Sequence, residues 1–204
     1  MCPSSDRRLN GPPVLVLASA SPRRREILSR TGLAFTVVPS LIAEEHPPVA
    51  PAEAITAVAL AKARAVARGL RDDRPAVVLG ADTEVVLDGQ LMGKPRDAAD
   101  AMRILRALRG QVHEVITGVA VVGVGTGEEE AATATVTTRV RMRAYGDDEI
   151  RAYVETGEPL DKAGAYAVQG IGSRLVGEVE GCLTNVIGLP LSTTRRLLAR
   201  WELS

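Results

Sequence analysis

The chain offers several residues whose types and positions could do chemistry. Asp82 directly follows the apolar run Ala76 to Leu79, at the carboxyl-end position where open α/β sheets hold ligands. A carboxylate there can bind a hard cation such as Mg²⁺ or take a proton from water; a turn-forming aspartate looks the same locally. Glu44 and Glu45 follow a second strand-like stretch and read either as further donors for such a cation or as solvated loop glutamates. Lys62 lies in an Ala-rich stretch and Lys94 between Gly93 and Pro95, each indistinguishable by itself from a surface lysine. Ser19-Ala20-Ser21-Pro22-Arg23-Arg24 has the signature of a helix start, with Ser21 as cap and Pro22 in the first turn. Its free N–H groups, two hydroxyls and guanidinium groups could grip a phosphate; a solvated basic helix turn is the plainer alternative. Arg23, Arg24 and Arg25 would project about 100° apart on a helix, so not all three can face one ligand. Two carboxylate sites, two lysines and an Arg-bearing helix start together make a polyphosphate and Mg²⁺ site, because a triphosphate needs charge neutralised at several oxygens.

Other features exclude function classes. Gly89-Gln-Leu-Met-Gly93-Lys94-Pro95 spaces its glycines too closely for a P-loop and has Pro95 where the magnesium-binding hydroxyl belongs. Gly123-Val-Gly125-Thr-Gly127 opens no helix and reads as a hairpin tip rather than a dinucleotide fingerprint. His113, alone inside a strand pattern, reads as structural. Lys+Arg 25 balance Asp+Glu 25, so no global basic field draws in a nucleic-acid backbone. One Phe, one Trp and three Tyr cannot build a base-stacking platform. No apolar run approaches the roughly 18 residues of a bilayer-spanning helix. Arg7 and Arg8 followed by Val14 to Ala20 fall short of a secretory signal. Cys2 and Cys182 make neither a disulfide framework nor a metal cluster. The expectation is a protein of the reducing cytoplasm with no nucleic-acid and no membrane partner.

The elements that must position the candidate residues can be read from periodicity and punctuation. A flexible tail is expected over residues 1–13, then one domain over 14–204. Residues 14–18 read as a strand, 22–31 as a helix stopped by Gly32, and 34–38 as a second strand. A Pro-rich loop at 46–51 precedes a long helix over 52–68 closed by Gly69. A strand over 76–79 runs into Gly80-Ala81-Asp82-Thr83, and Asp88-Gly89 signals a hairpin between 84–87 and 90–92. Asp97 caps a helix to about Arg109, stopped by Gly110, and residues 112–123 and 131–143 form a long antiparallel ribbon. Asp147 caps a helix to about Thr156 ended by Gly157, short strands are expected over 164–181, and a last helix runs from Pro190 to Trp201. Helices alternating with strands, with hairpins among them, predict an α/β architecture with a mixed twisted sheet flanked by helices.

Several ordered blocks carry a family likeness. Leu17-Ala18-Ser19-Ala20-Ser21-Pro22-Arg23-Arg24, Lys62-Ala63-Arg64-Ala65-Val66, Gly80-Ala81-Asp82-Thr83 and Gly93-Lys94-Pro95 resemble the Maf family of nucleoside triphosphate pyrophosphatases. Gly157 to Tyr166, Gln169-Gly170 and Asn185-Val186-Ile187-Gly188-Leu189-Pro190-Leu191 continue the likeness in family order. The resemblance implies an elongated, two-lobed Maf/ITPase-like fold with a deep cleft, and hydrolysis of a nucleoside triphosphate to the monophosphate and pyrophosphate with Mg²⁺ or Mn²⁺. It makes Asp82 the proton acceptor, with Lys62 and Lys94 as further catalytic charges. Glu44 and Asp82 would hold the metal, and Ser19, Ser21 and Arg24 the phosphates. Arg23, Thr83 and Gln169 stand at the positions that separate family branches and resemble the branch acting on dTTP and UTP. A neutral amide and a hydroxyl suit the mixed edge of a pyrimidine, whereas a glutamate at 169 would suit a guanine. The family likeness also implies a homodimer.

Two departures qualify the likeness. Ala43 precedes Glu44 where the family often has an acidic residue, which shifts the metal's dependence toward Glu45 or Asp82. Cys182-Leu183 replaces an aromatic-bearing pair and bears on packing. The alternatives are a pyrophosphatase for 7-methyl-GTP or other modified purines, and a nucleotide-binding regulator of septum formation. Retention of Asp82, Lys62 and Lys94 favours an enzyme over a purely binding module.

Overall fold

A computed structural model describes residues 13–70, 75–125, 130–201 and 203. The expected tail lies outside these residues except for Pro13, as do Cys2 and residues 126 and 127 of the expected hairpin tip at 123–127. β1 (Val14–Leu17) is almost wholly buried and feeds α1 (Pro22–Ser29), whose N-cap Ser21 accepts a hydrogen bond from the Arg24 N–H. β2 (Phe35–Val37) follows, then α2 (Pro51–Gly69), whose alanines and valines at helical spacing bury one face. β3 (Ala76–Leu87) turns through Asp88 and Gly89, both at positive φ, into the two-residue β4 (Gln90–Leu91), as an Asp-Gly hairpin requires. Asp97 caps α3 (Ala98–Leu108) by accepting from the Asp100 N–H at 2.8 Å. β5 (Val112–Val124) and β6 (Glu130–Met142) then pair antiparallel along their whole length.

The C-terminal third departs more from expectation. α4 (Asp147–Glu155) is capped by Gly146, not Asp147; the Glu149 carboxylate accepts from the Gly146 N–H, which frees Asp147 to pair with Arg106 and Arg109. The glycine-rich stretch forms short 3₁₀ turns and one strand, β7 (Val176–Glu180), because glycines at positive φ interrupt pairing there. A short helix the periodicity did not reveal, α5 (Leu183–Ile187), precedes α6 (Leu191–Leu198). Among the described residues seven strands form one mixed sheet in the order β2-β1-β3-β5-β6-β7, with β4 on β3. β1 pairs parallel with β2 and β3, and the remaining pairs are antiparallel.

The main correction concerns β3. Asp82 does not follow the strand's end: the strand runs unbroken from Ala76 to Leu87, because β5 pairs with it at every position from Ala76 to Val86, Asp82 facing Gly118. A continuous antiparallel partner carries the backbone through Gly80, where the local sequence alone reads as a turn. What ends near Leu79 is the parallel neighbour β1.

α2 lies unusually close to this sheet. A Cβ on Gly80 would collide with the backbone oxygen of Ala59 and come within 2.9 Å of the Ala63 nitrogen, and one on Gly118 would lie 2.7 Å from the Thr56 Cα. Two glycines on adjacent strands thus form a trough for the helix backbone, and Lys62 is carried into the sheet with it. Replacing Gly80 with Ala therefore overpacks a backbone contact, and we expect a loss of about 2 kcal/mol in urea unfolding, with α2 and Lys62 displaced from β3.

Candidate active site

The site forms where the edge pairing of β3 is interrupted. The β1 ladder ends with the Ala18 N–H donating to Leu79 O at 2.8 Å, and the β4 side resumes with the Met92 N–H donating to Val85 O at 2.9 Å. Between them Gly80 to Glu84 have β5 on one side and, among the described residues, no strand paired on the other. A cavity of about 500 Å³ opens along this edge. Alternation along the strand puts Asp82 and Glu84 on the face toward α2 and Thr83 on the opposite face.

Every residue that the family likeness assigns to the site lines this cavity, whereas Glu45 and Arg25 do not. Asp82, Lys62, Lys94 and Glu44 sit along one part of its wall, and Ser19, Ser21, Arg23 and Arg24 come from the start of α1; Thr83 and Gln169 complete the set. Lys62 Nζ donates to Asp82 Oδ1 at 2.7 Å and to Glu44 Oε1 at 2.6 Å, while Lys94 Nζ donates to Glu44 Oε2 at 3.0 Å. Lys62 and Asp82 are buried, at 5% and 2% exposure. Burial by itself would raise the Glu44 carboxyl, but the hydrogen bonds and charges of the two lysines outweigh it and hold its pKa at about 2. Glu45 is exposed and does not line the cavity, so the chain's direction at Glu44 leaves it in solvent.

Arg24 is a strut. Its Nε donates to Gly188 O at 2.9 Å, one terminal nitrogen to Ser19 Oγ at 3.3 Å and the other to Thr83 Oγ1 at 3.1 Å. Burial draws its pKa down, while Asp82 and Glu44 pull the other way. Thr83 also shares a hydrogen bond with Thr117 at 2.9 Å and meets Gly188 O at 3.3 Å. Ser19 Oγ further accepts from the Ser21 N–H at 3.2 Å. Ser19, Arg24, Thr83 and the Gly188 turn thus hold one another, tying α1 to β3 and α5. Arg25 is exposed and lies outside the lining, as the helical spacing predicted for one of the three arginines. Gln169 is exposed on a loop fastened by Glu158, whose carboxylate accepts from the N–H groups of Ile171 and Gly172 and from the Tyr153 hydroxyl.

Two residues of the site escaped the sequence reading. The His46 Nε2–H donates to Asp82 Oδ2 at 2.8 Å, so Asp82 is held on one oxygen by Lys62 and on the other by His46. Glu84 is 5% exposed and its Oε2 has no hydrogen-bond partner among the described residues; burial, with the charge of Asp82 adding, pushes its pKa up to about 7. Their signal was present as two spacings, Glu44-Glu-His46 and Asp82-Thr-Glu84. The second acquires meaning once residues 80–84 are strand and alternate residues share a face. Donor atoms of His46, Asp82 and Glu84 lie within 4.8 Å of one another, and the unpartnered carboxylate oxygen fits a divalent cation at this place.

The fold and this pocket define a class. The model of the family of Maf-like proteins matches residues 14–201, and the chain belongs to that family. It is 55% identical over 188 residues to the dTTP/UTP pyrophosphatase of Moorella thermoacetica, covering 91% of this chain and 93% of that protein. It is 52% identical over 189 residues to the dTTP/UTP pyrophosphatase of Anaeromyxobacter dehalogenans (92% and 94% covered). The protein of that name from Dictyoglomus turgidum is 46% identical over 192 residues (93% and 97% covered).

His113 supports the cavity from beneath. It is 2% exposed, its Nε2 is 2.7 Å from the hydroxyl of Tyr166, a lining residue, and its Nδ1 has no partner. Burial lowers its pKa to about 4 from the usual 6.5, so the folded state keeps the imidazole neutral. The unfolded chain therefore binds the proton first, and the stability contributed by neutral His113 is complete above pH 6.5 and is lost as pH falls toward 4. Relative to His113→Gln, the wild type is expected to lose on the order of 3 kcal/mol between pH 7 and pH 4, measured as the difference between their urea-unfolding free energies at each pH.

Proposed function

We propose that this chain is a nucleoside triphosphate pyrophosphatase that hydrolyses dTTP and UTP to the monophosphate and pyrophosphate. The observation that carries the reading is the convergence on one cavity of Asp82, Lys62, Lys94 and the Arg-bearing start of α1. The names of the relatives at 45–55% identity point the same way. Asp82 stands at the unpaired strand edge, where its carboxylate is the proton acceptor for the water that attacks the α-phosphorus. Lys62 and Lys94, which neutralise Glu44 and Asp82 in the free protein, are the cations that meet phosphate oxygens when the substrate enters. Ser19 and Ser21 at the helix start add hydroxyl and N–H donors, and Arg24 sets their positions through Ser19. Asp82 and Glu44 would hold Mg²⁺ or Mn²⁺, which when bound would supply further charge neutralisation at the phosphates.

The base is chosen by Arg23, Thr83 and Gln169. Gln169 offers an exposed amide, with a donor and an acceptor for a pyrimidine edge. Thr83 acts through Arg24 and Gly188, to which its hydroxyl is bonded. Homodimer formation and a cytoplasmic location belong to the same proposal, the first on the family likeness and the second on cysteine content. Among the described residues no helix is long and apolar enough to cross a membrane.

Asp82→Asn is expected to lower kcat for pyrophosphate release from dTTP by at least about 10²-fold while leaving the unfolding transition cooperative. Undiminished release would refute the proton-acceptor role. Gln169→Glu is expected to lower kcat/KM for dTTP and UTP and to raise it for 7-methyl-GTP, read from a panel of triphosphates by separating mono- from diphosphate products.

A further inference from the structure

We infer that His46, Asp82 and Glu84 form a mixed nitrogen and oxygen cation site that turns this pocket toward first-row transition ions such as Mn²⁺ or Co²⁺ and away from Mg²⁺. The inference rests on the reading of the pocket as a cation-dependent triphosphate site and specifies which donors select the ion.

Charge bookkeeping singles out Glu84. Lys62 bridges Asp82 and Glu44, and Lys94 takes the second oxygen of Glu44, so both lysines are engaged before Glu84 is reached. Glu84 nevertheless lies on the same strand face as Asp82, is 5% exposed, and presents an oxygen with no donor. A buried, unpartnered carboxylate oxygen is costly to the fold, and a cation at this point would satisfy it. Two charges on one face also repel each other unless something positive stands between them.

His46 supplies the selectivity. It arrives on the loop between β2 and α2, 15% exposed, with Nε2 against Asp82 Oδ2. The donor atoms of the three residues lie within 4.8 Å of one another. That range accommodates adjacent and opposite ligands of a six-coordinate ion with bonds of about 2.1 Å, which are about 3 and 4 Å apart. An entering cation displaces the proton shared by His46 and Asp82 to solvent. Mg²⁺ takes oxygen donors, whereas an imidazole nitrogen raises affinity for transition ions. Glu44, the ligand proposed beside Asp82, has both oxygens on lysines in the free protein, so without nucleotide the ion rests on His46, Asp82 and Glu84.

The test is metal binding to the full chain without nucleotide. Mn²⁺, Co²⁺ and Mg²⁺ are titrated against wild type, His46→Gln and Glu84→Gln, with ¹⁴N coupling read by pulsed EPR of the Mn²⁺ form. The Gln at 46 keeps an N–H for Asp82 and removes the ring nitrogen; cooperative unfolding of each variant checks the fold. Wild type is expected to show ¹⁴N coupling that His46→Gln lacks, and each variant to bind Mn²⁺ and Co²⁺ at least about tenfold more weakly, with the Mg²⁺ affinity of His46→Gln nearly unchanged. Equal affinities in all three proteins and no nitrogen coupling would overturn the inference and leave His46 as a hydrogen-bond partner of Asp82. Nitrogen coupling without dTTP hydrolysis would uphold the metal site and sink the pyrophosphatase reading; hydrolysis without nitrogen coupling would do the reverse.

Discussion

The Lys62 ammonium holds this pocket together. It is buried against two carboxylates, Asp82 at 2.7 Å and Glu44 at 2.6 Å, which come from β3 and from the loop before α2. Without a cation at this point, two acidic groups would face each other over a partly dry surface, where their repulsion is weakly screened. The position of Lys62 in turn depends on how closely α2 lies on the sheet. Gly80 and Gly118 provide that approach, because their missing Cβ atoms leave room for the backbone around Ala59, Ala63 and Thr56. The surroundings of Asp82 and the packing of a long helix are therefore one problem.

The second constraint is the interrupted edge of β3. β5 pairs with the strand from Ala76 to Val86, so the backbone at Asp82 is fixed along its inner edge. On the other edge, the end of β1 and the late start of β4 leave backbone and side chains open to the cavity. The network around Arg24 fixes the facing wall by joining Ser19, Thr83 and Gly188. This division, a paired inner edge and an open outer one, keeps the proposed proton acceptor in place while leaving room for a triphosphate. Catalytic groups gain from such preorganisation because they need not reorganise as charge develops.

Much of this was legible in local residue patterns. The capped starts of α1 and α3, the Asp88-Gly89 hairpin and the long β5–β6 ribbon all occur where punctuation and period put them, since short-range sterics and hydrogen bonding decide such features. Others depended on distant partners. Gly80 to Thr83 reads as a turn until β5 is laid alongside, and Glu149 rather than Asp147 completes the start of α4. The five residues of α5 are too few for a periodic signal.

The site divides in the same way. Residue types and family likeness identified Asp82, Lys62, Lys94, Glu44, Gln169 and the Ser-Pro-Arg-Arg start as candidates, because each carries a charge, hydroxyl or amide at a position that the local pattern or the likeness picks out. His46 and Glu84 belong to no such block, and their meaning is geometric. A histidine in a Pro-rich loop becomes a partner of Asp82 only when that loop folds over the strand edge, and a glutamate in an apolar run becomes a buried neighbour only when strand alternation turns it inward. The sequence by itself determined which chemical groups are present and which local elements carry them. Tertiary structure decided which groups meet and which are left without a counter-charge, because contact and desolvation arise between segments far apart in the chain.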